Sequence, residues 1–275
     1  MSEQNNDNIE PSEQEWEAPP IPEQIQADEK EEAEMSEVAT VANVFFEPGR
    51  TFEDLRKKPR FIIAFVILAV LATAFVFAFQ TKIGEDQMRR FMRTQQEQSA
   101  QMQAATEEQK QQAVDIGMTI QKVVMFAFPV FMAIGFLIGG LIYWAGMKAM
   151  GGTAKFTHGL SVFVYSSLPP GVVSTVANFI ILFMKPAEEI DIATSQRGLV
   201  NANPTLFFGG KETPVLTTII SSLDLFVIWG MILAAIGLRK VSGISKGSSW
   251  AIVLILFLLG LAFRVISAFI NGMPS

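Results

Sequence analysis

The stretch FIIAFVILAVLATAFVFAF, residues 61–79, runs for nineteen positions without a charge and is bounded by Arg60 and Lys82. At about 1.5 Å per residue, a helix of that length crosses the roughly 30 Å hydrocarbon core of a bilayer. Lipid offers backbone groups no partner, so the segment must satisfy its own hydrogen bonds as a helix. Four further stretches read the same way. Val123–Met147 and Gly159–Met184 are uncharged, Val215–Leu238 is apolar apart from Asp224, and Ser249–Ile270 is apolar apart from Arg264. Alternating ten-residue segments of the kind that build a β-barrel are absent. The sequence therefore predicts an all-α polytopic membrane domain over residues 61–270, with five transmembrane helices at 61–79, 123–147, 159–184, 215–238 and 249–270.

Composition agrees. Of 275 residues, 50% are hydrophobic, 17% are charged and none is cysteine. A soluble domain carries about 25% charged residues, so an ordinary soluble enzyme is disfavoured. Without cysteine, disulfides, thiol catalysis and Cys-ligated metals are excluded. The net charge of −6 conceals a split, because residues 1–40 carry −12 and the remainder +6. Residues 1–37 are rich in Glu, Gln and Pro and poor in branched apolar residues, so they are expected to be a disordered acidic tail. The tail has no cationic start followed by an apolar run, and so does not read as a secretory signal. It reads as a solvated leash or as a partner-binding arm.

Residues 38–60 predict amphipathic helices at the membrane surface. Val38, Val41, Val44 and Phe45 recur at helical spacing, and Glu47-Pro48-Gly49 interrupts them. Thr51 followed by Asp54 resembles a capping box. The helix it opens carries Phe52 and Leu55 beside the basic residues Arg56, Lys57, Lys58 and Arg60. That pattern suits an anionic membrane surface; packing of the apolar side onto the membrane domain is the competing reading.

Arg and Lys placement sets orientation. Bases crowd the flank before the first span, and the loops holding Lys148 and Lys155, and Arg239, Lys240 and Lys246, contain no acid. The loop between the third and fourth spans sets Lys185, Arg197 and Lys211 against four acids. The N-terminus is thereby expected in the cytosol and the C-terminus outside. The loop 81–122 is rich in Gln and Glu and helix-forming. It predicts an exposed helical hairpin continuing the first and second spans, with a disordered centre as the alternative.

Charges inside spans are functional hypotheses by default. The fourth and fifth spans run antiparallel, which places Asp224 and Arg264 at similar depth and predicts that they face each other. The pair reads as a structural lock between helices or as a polar site for an ion, proton or lipid head group. Pro169-Pro170 predicts a kink or break in the third span. Gly135 and Gly139 form a Gly-x-x-x-Gly motif that permits close helix approach. His158 is the single histidine, and no neighbouring ligands suggest a metal site. No phosphate loop or nucleophile motif is present, and no cofactor is expected. Nucleic-acid binding is unsupported, because the bases flank membrane spans.

Several segments together resemble the bacterial branch of the Yip family, integral membrane proteins named for relatives that interact with Ypt/Rab GTPases. They are Phe45-Phe46-Glu47-Pro48 with Thr51-Phe52 and Pro59, then Gly152, Phe156 and Tyr165-Ser166-Ser167-Leu168-Pro169. Leu223-Asp224-Leu225-Phe226, Ile228-Trp229, Gly237-Leu238 and Gly243-Ile244-Ser245 follow in the same order. The resemblance implies a five-span domain with a cytosolic N-terminus in a bacterial cytoplasmic membrane, and supplies no catalytic residues. The Asp-Leu-Tyr-Gly-Pro type motif of the eukaryotic branch is missing, so GTPase binding is not implied. The expected function is a non-catalytic scaffold or membrane-organising, trafficking-like role. Its partners would be the lipid bilayer and membrane or cytosolic proteins, including further copies of the chain. The alternative is a small channel or transporter using Asp224, Arg264 and a broken third span.

Overall fold

The computed structural model describes residues 33–98, 102, 104–195, 198–200, 202–207 and 213–271. The tail expected for residues 1–37 lies outside the described residues as far as position 32. Among the described residues every regular element is helical: α1 (Glu37–Asn43), α2 (Pro48–Lys57), α3 (Ile62–Ile83), α4 (Glu85–Gln98), α5 (Glu107–Ala149), α6 (Phe156–Met184), α7 (Ile192–Ser195), α8 (Pro214–Ser221), α9 (Leu225–Ser242) and α10 (Lys246–Asn271). Five of them, α3, α5, α6, α9 and α10, are long and apolar enough to cross a membrane.

The bundle is organised around α6, which packs against α5, α9 and α3. Glycines bring α5 and α6 close. A Cβ on Gly139 would overlap the Phe163 ring at 2.3 Å, and one on Gly159 would lie 2.5 Å from the Gly140 carbonyl oxygen. Edge-to-face rings then tie three helices together. Phe65 meets Phe136 at 5.4 Å between centroids, Phe136 meets Phe163 at 5.3 Å, and Tyr143 meets Phe163 at 5.3 Å. Such pairs contribute about 0.5–1.5 kcal/mol each beyond their buried area. Outward, Val70, Phe131, Ile180 and Phe263 are exposed on the spans, where lipid tails are as apolar as they are.

Helix α5 runs for 43 residues, about 64 Å, or twice the hydrocarbon thickness. Its start is fixed by a capping box between Thr106 and Gln109. The second span thus extends beyond the membrane, but the first does not run on unbroken. Gly84 at φ 75° ends α3, a conformation glycine adopts without steric cost. Helix α4 then runs antiparallel along the start of α5, held there by Lys122, which reaches Glu85 at 3.6 Å, and by Arg89, which reaches Asp115 at 2.5 Å.

Helix α2 lies on the bundle. Phe52 and Leu55 are fully buried, and the Phe52 ring occupies the space that a side chain on Gly237 of α9 would need. Burying each side chain contributes roughly 1.5–3 kcal/mol relative to water. The apolar side of α2 therefore packs on protein, the second of the two readings of this helix. Thr51 is not its N-cap. The helix starts three residues earlier, at Pro48, whose fixed φ suits a first helical position. The Thr51 hydroxyl instead donates to the Glu47 carbonyl at 3.0 Å.

Candidate functional site

The fourth span differs from its expected form. Residues 215–238 are not one helix, because the chain breaks between α8 and α9 at Ser222–Asp224. The Ser221 and Ser222 hydroxyls donate back to the Thr218 carbonyl at 3.0 and 2.8 Å, offering the backbone an alternative to helical bonding. Asp224 is the N-cap of α9. Its carboxylate accepts the Phe226 N–H at 2.9 Å and the Asn203 side-chain amide at 3.4 Å. Since α9 has 18 residues, about 27 Å, Asp224 sits at the end of a spanning helix rather than deep within one. There the positive end of the helix dipole favours its charge.

Arg264 of α10 comes to the same level. Its guanidinium donates to the Ser222 hydroxyl at 2.8 Å and to the Ser221 hydroxyl at 3.2 Å. The residues on either side of the α8–α9 break thus hold two different charged groups. The carboxylate is turned to the α9 backbone and Asn203, the guanidinium to the two serines.

Pro169 and Pro170 do not break the third span. Both are buried inside a continuous α6. Two prolines remove two N–H donors, which deprives the Tyr165 and Ser166 carbonyls of their i+4 bonds without forcing the chain out of helical torsions. Gly230 of α9 faces this place. A side chain there would begin 3.6 Å from both the Ser166 carbonyl oxygen and the Pro170 ring.

A cavity of about 280 Å³ opens beside these groups. Arg264 and Ser222 line one part of it, Ser166, Ser167 and Tyr143 another, and Met231, Val253, Leu256 and Leu261 much of the remainder. The Ser166 and Ser167 hydroxyls are engaged with the Phe163 carbonyl at 3.1 and 2.8 Å. Chemically the cavity offers guanidinium donors at one end of a mainly apolar wall. Sequence reading missed Tyr143 and Ser222. Their only signal was a polar atom within an apolar run, which many helix-packing residues share.

The remaining expected residues divide. Of the two motif glycines, Gly139 lies against α6, whereas a Cβ on Gly135 would meet no atom within 4 Å. Gly140 and Gly159, which the motif did not single out, bring the two backbones together, with a Cβ on Gly159 falling 2.5 Å from the Gly140 carbonyl oxygen. Among the basic residues, Arg56 and Lys58 are exposed, whereas the Arg60 side chain keeps 9% exposure and pairs with Asp54. Lys57 reaches Glu34 at 3.2 Å. His158 bridges α6 to α2: its Nδ1 accepts the Lys155 N–H at 3.1 Å, and its Nε2 lies 3.1 Å from the Arg56 carbonyl oxygen. Among the described residues no three His, Asp or Glu side chains converge as a metal site would require.

Residues 42–268 match the family described as Yip1 domain. The chain is also similar to the protein described as Membrane protein YknW of Bacillus subtilis (strain 168). The two are 27% identical over 247 residues, covering 89% of this chain and 96% of that relative. No solved structure matches at a significant level.

Proposed function

We propose that this chain, which belongs to the Yip1 domain family of multi-pass membrane proteins, works without catalysis, as a scaffold or membrane-organising protein acting through protein or lipid partners. The observation that supports the reading is the use made of its polar side chains. Asp54 accepts the backbone N–H groups of Glu34 and Met35, and Asn178 accepts those of Leu199 and Val200. Asp224 caps α9, and His158 bonds backbone on two helices. Each of these groups pins one segment to another; none is set beside a nucleophile in the way a reacting centre requires. In this proposal the N-terminus is cytosolic and the C-terminus outside, following the Arg and Lys bias of the loops.

The test uses the full chain in its native membrane. Photoreactive residues at the exposed positions Ile116 and Ile120 near the start of α5 are expected to give reproducible crosslinks to a defined partner. Proteoliposomes containing the purified chain are expected to show no solute flux above protein-free controls. Sustained flux abolished by Arg264→Ala would overturn the scaffold reading in favour of a channel or transporter.

A further inference from the structure

We infer that the cavity bordered by α6, α9 and α10 is a phospholipid site, taking one acyl chain along its apolar wall and the lipid phosphate at Arg264. The inference goes beyond the scaffold reading and does not depend on it, since a lipid seated here would serve a scaffold or a transporter alike.

Three features carry it. The first is the layout of polarity. From Arg264 to Val253 the lining follows α10 for eleven residues, about 16 Å of axis. Arg264 stands at one end, and Leu261, Leu256 and Val253 succeed it on the same helix. A cation at the head of an apolar trough is complementary to an amphiphile with an anionic head group. The second is height. Arg264 binds Ser221 and Ser222, immediately before the spanning helix α9 begins, so its guanidinium lies at the level where hydrocarbon gives way to head groups. A phosphate held there leaves its acyl chain pointing inward along the trough, the orientation a bilayer lipid already has. The third is access. Val227 and Gly260 border the cavity and are exposed on lipid-facing helices, so the opening is sideways into the bilayer.

The chemistry of the head fits. A guanidinium presents a planar fork of N–H donors that matches two phosphate oxygens, and the Ser222 hydroxyl stands beside it. The volume, about 280 Å³, is near the lower end for a small-ligand pocket and suits one chain rather than a whole lipid. Tyr143 is the distinguishing residue at the far end. It is 6% exposed, and it lines the cavity. A soluble polar ligand filling the cavity would use the tyrosine hydroxyl, whereas an acyl chain would not.

Native mass spectrometry of the full chain in mild detergent tests the assignment, with phosphatidylglycerol, diacylglycerol and soluble glycerol phosphate as probes. The wild type is expected to retain one phosphatidylglycerol. Arg264→Gln is expected to weaken that retention at least about tenfold, the scale of losing one charge-assisted hydrogen bond, while diacylglycerol binding stays unchanged. Gly260→Leu is expected to block both lipids; a Cβ at Gly260 meets no atom within 4 Å, so the added side chain projects into open space. Tyr143→Phe is expected to bind phosphatidylglycerol as the wild type does. If Arg264→Gln fails to fold, Gly260→Leu and Tyr143→Phe decide the matter. Undiminished phosphatidylglycerol binding by Gly260→Leu, a loss in Tyr143→Phe, or full competition by glycerol phosphate would each overturn the phospholipid assignment.

Discussion

The Asp54 carboxylate and the Arg60 guanidinium form an ion pair whose side chains keep only 4% and 9% exposure. The pair also grips the chain ahead of α1. One Asp54 oxygen accepts the Glu34 and Met35 N–H groups at 2.6 and 3.2 Å, while Arg60 donates to the Met35 carbonyl at 2.7 Å. Removing one member of a buried pair leaves the other uncompensated, at a cost of about 3–5 kcal/mol. Asp54→Asn is therefore expected to destabilise the protein by roughly that amount and to speed amide exchange over residues 34–44, read by hydrogen-exchange mass spectrometry. Lys57→Ala, which removes a contact to an exposed Glu34, is expected to change stability by less than about 1 kcal/mol.

The contact between α5 and α6 separates two kinds of glycine. A Cβ on Gly159 would meet the Gly140 carbonyl oxygen at 2.5 Å and Trp144 backbone and side-chain atoms at 2.8 Å. Backbone cannot yield as a flexible side chain can, so Gly159→Ala forces the helices apart and is expected to cost about 1–3 kcal/mol or more. Gly135→Ala adds its methyl to open space and is expected to stay within about 0.5 kcal/mol of wild type. Thermal unfolding of both variants in the same detergent makes the comparison.

Glu53 of α2 is paired with Lys240 of α9, and the hydrogen bond from that ammonium holds the carboxyl below its ordinary value of 4.5. A carboxylate with a lowered folded value binds fewer protons in the folded state than in the unfolded one. Its stabilisation is thus complete above the ordinary carboxylate range and is lost as pH falls through the lowered value. Both side chains are substantially exposed, so the effect is below about 1 kcal/mol and weakens with salt. Protection of α2 from proteolysis is expected to decline as pH drops through that window in the wild type. In Glu53→Gln this component of the pH response is expected to be absent.

The five spans were legible because lipid solvation imposes one rule over some twenty residues at a time, and no local detail competes with it. What the sequence left obscure turned on single contacts. Pro169 and Pro170 signal a break by propensity, yet both sit inside α6, where the bundle encloses that turn. Gly135 and Gly139 match a spacing motif, but only the bundle decides which face of α5 meets α6, and it selects Gly139 and Gly140. Arg60 reads as one more surface base, because its partner's hold on Glu34 and Met35 depends on a chain reversal that composition does not encode. The cavity was invisible for a similar reason. Its lining comes from α5, α6, α9, α10 and the α8–α9 break, and no sequence neighbourhood contains it.

Asp224 carries the last prediction, because two roles that a charge can have inside an apolar run make opposite demands on it. As an N-cap, it needs an oxygen that accepts the Phe226 N–H, and asparagine supplies one. As a charge in its own right, it needs the negative carboxylate, which asparagine lacks. The observed geometry commits one carboxylate oxygen to the cap and the other to Asn203 at 3.4 Å. Asp224→Asn is accordingly expected to keep most of the stability, losing a few tenths of a kcal/mol of helix-dipole interaction. Asp224→Leu removes the acceptor altogether and is expected to cost about 1–2 kcal/mol, with faster exchange at the first turn of α9. A loss in Asp224→Asn as large as that in Asp224→Leu would show that the charge, and not the cap, is what the α8–α9 break requires. Urea unfolding of both variants in detergent, with exchange read at residues 225–229, distinguishes the two.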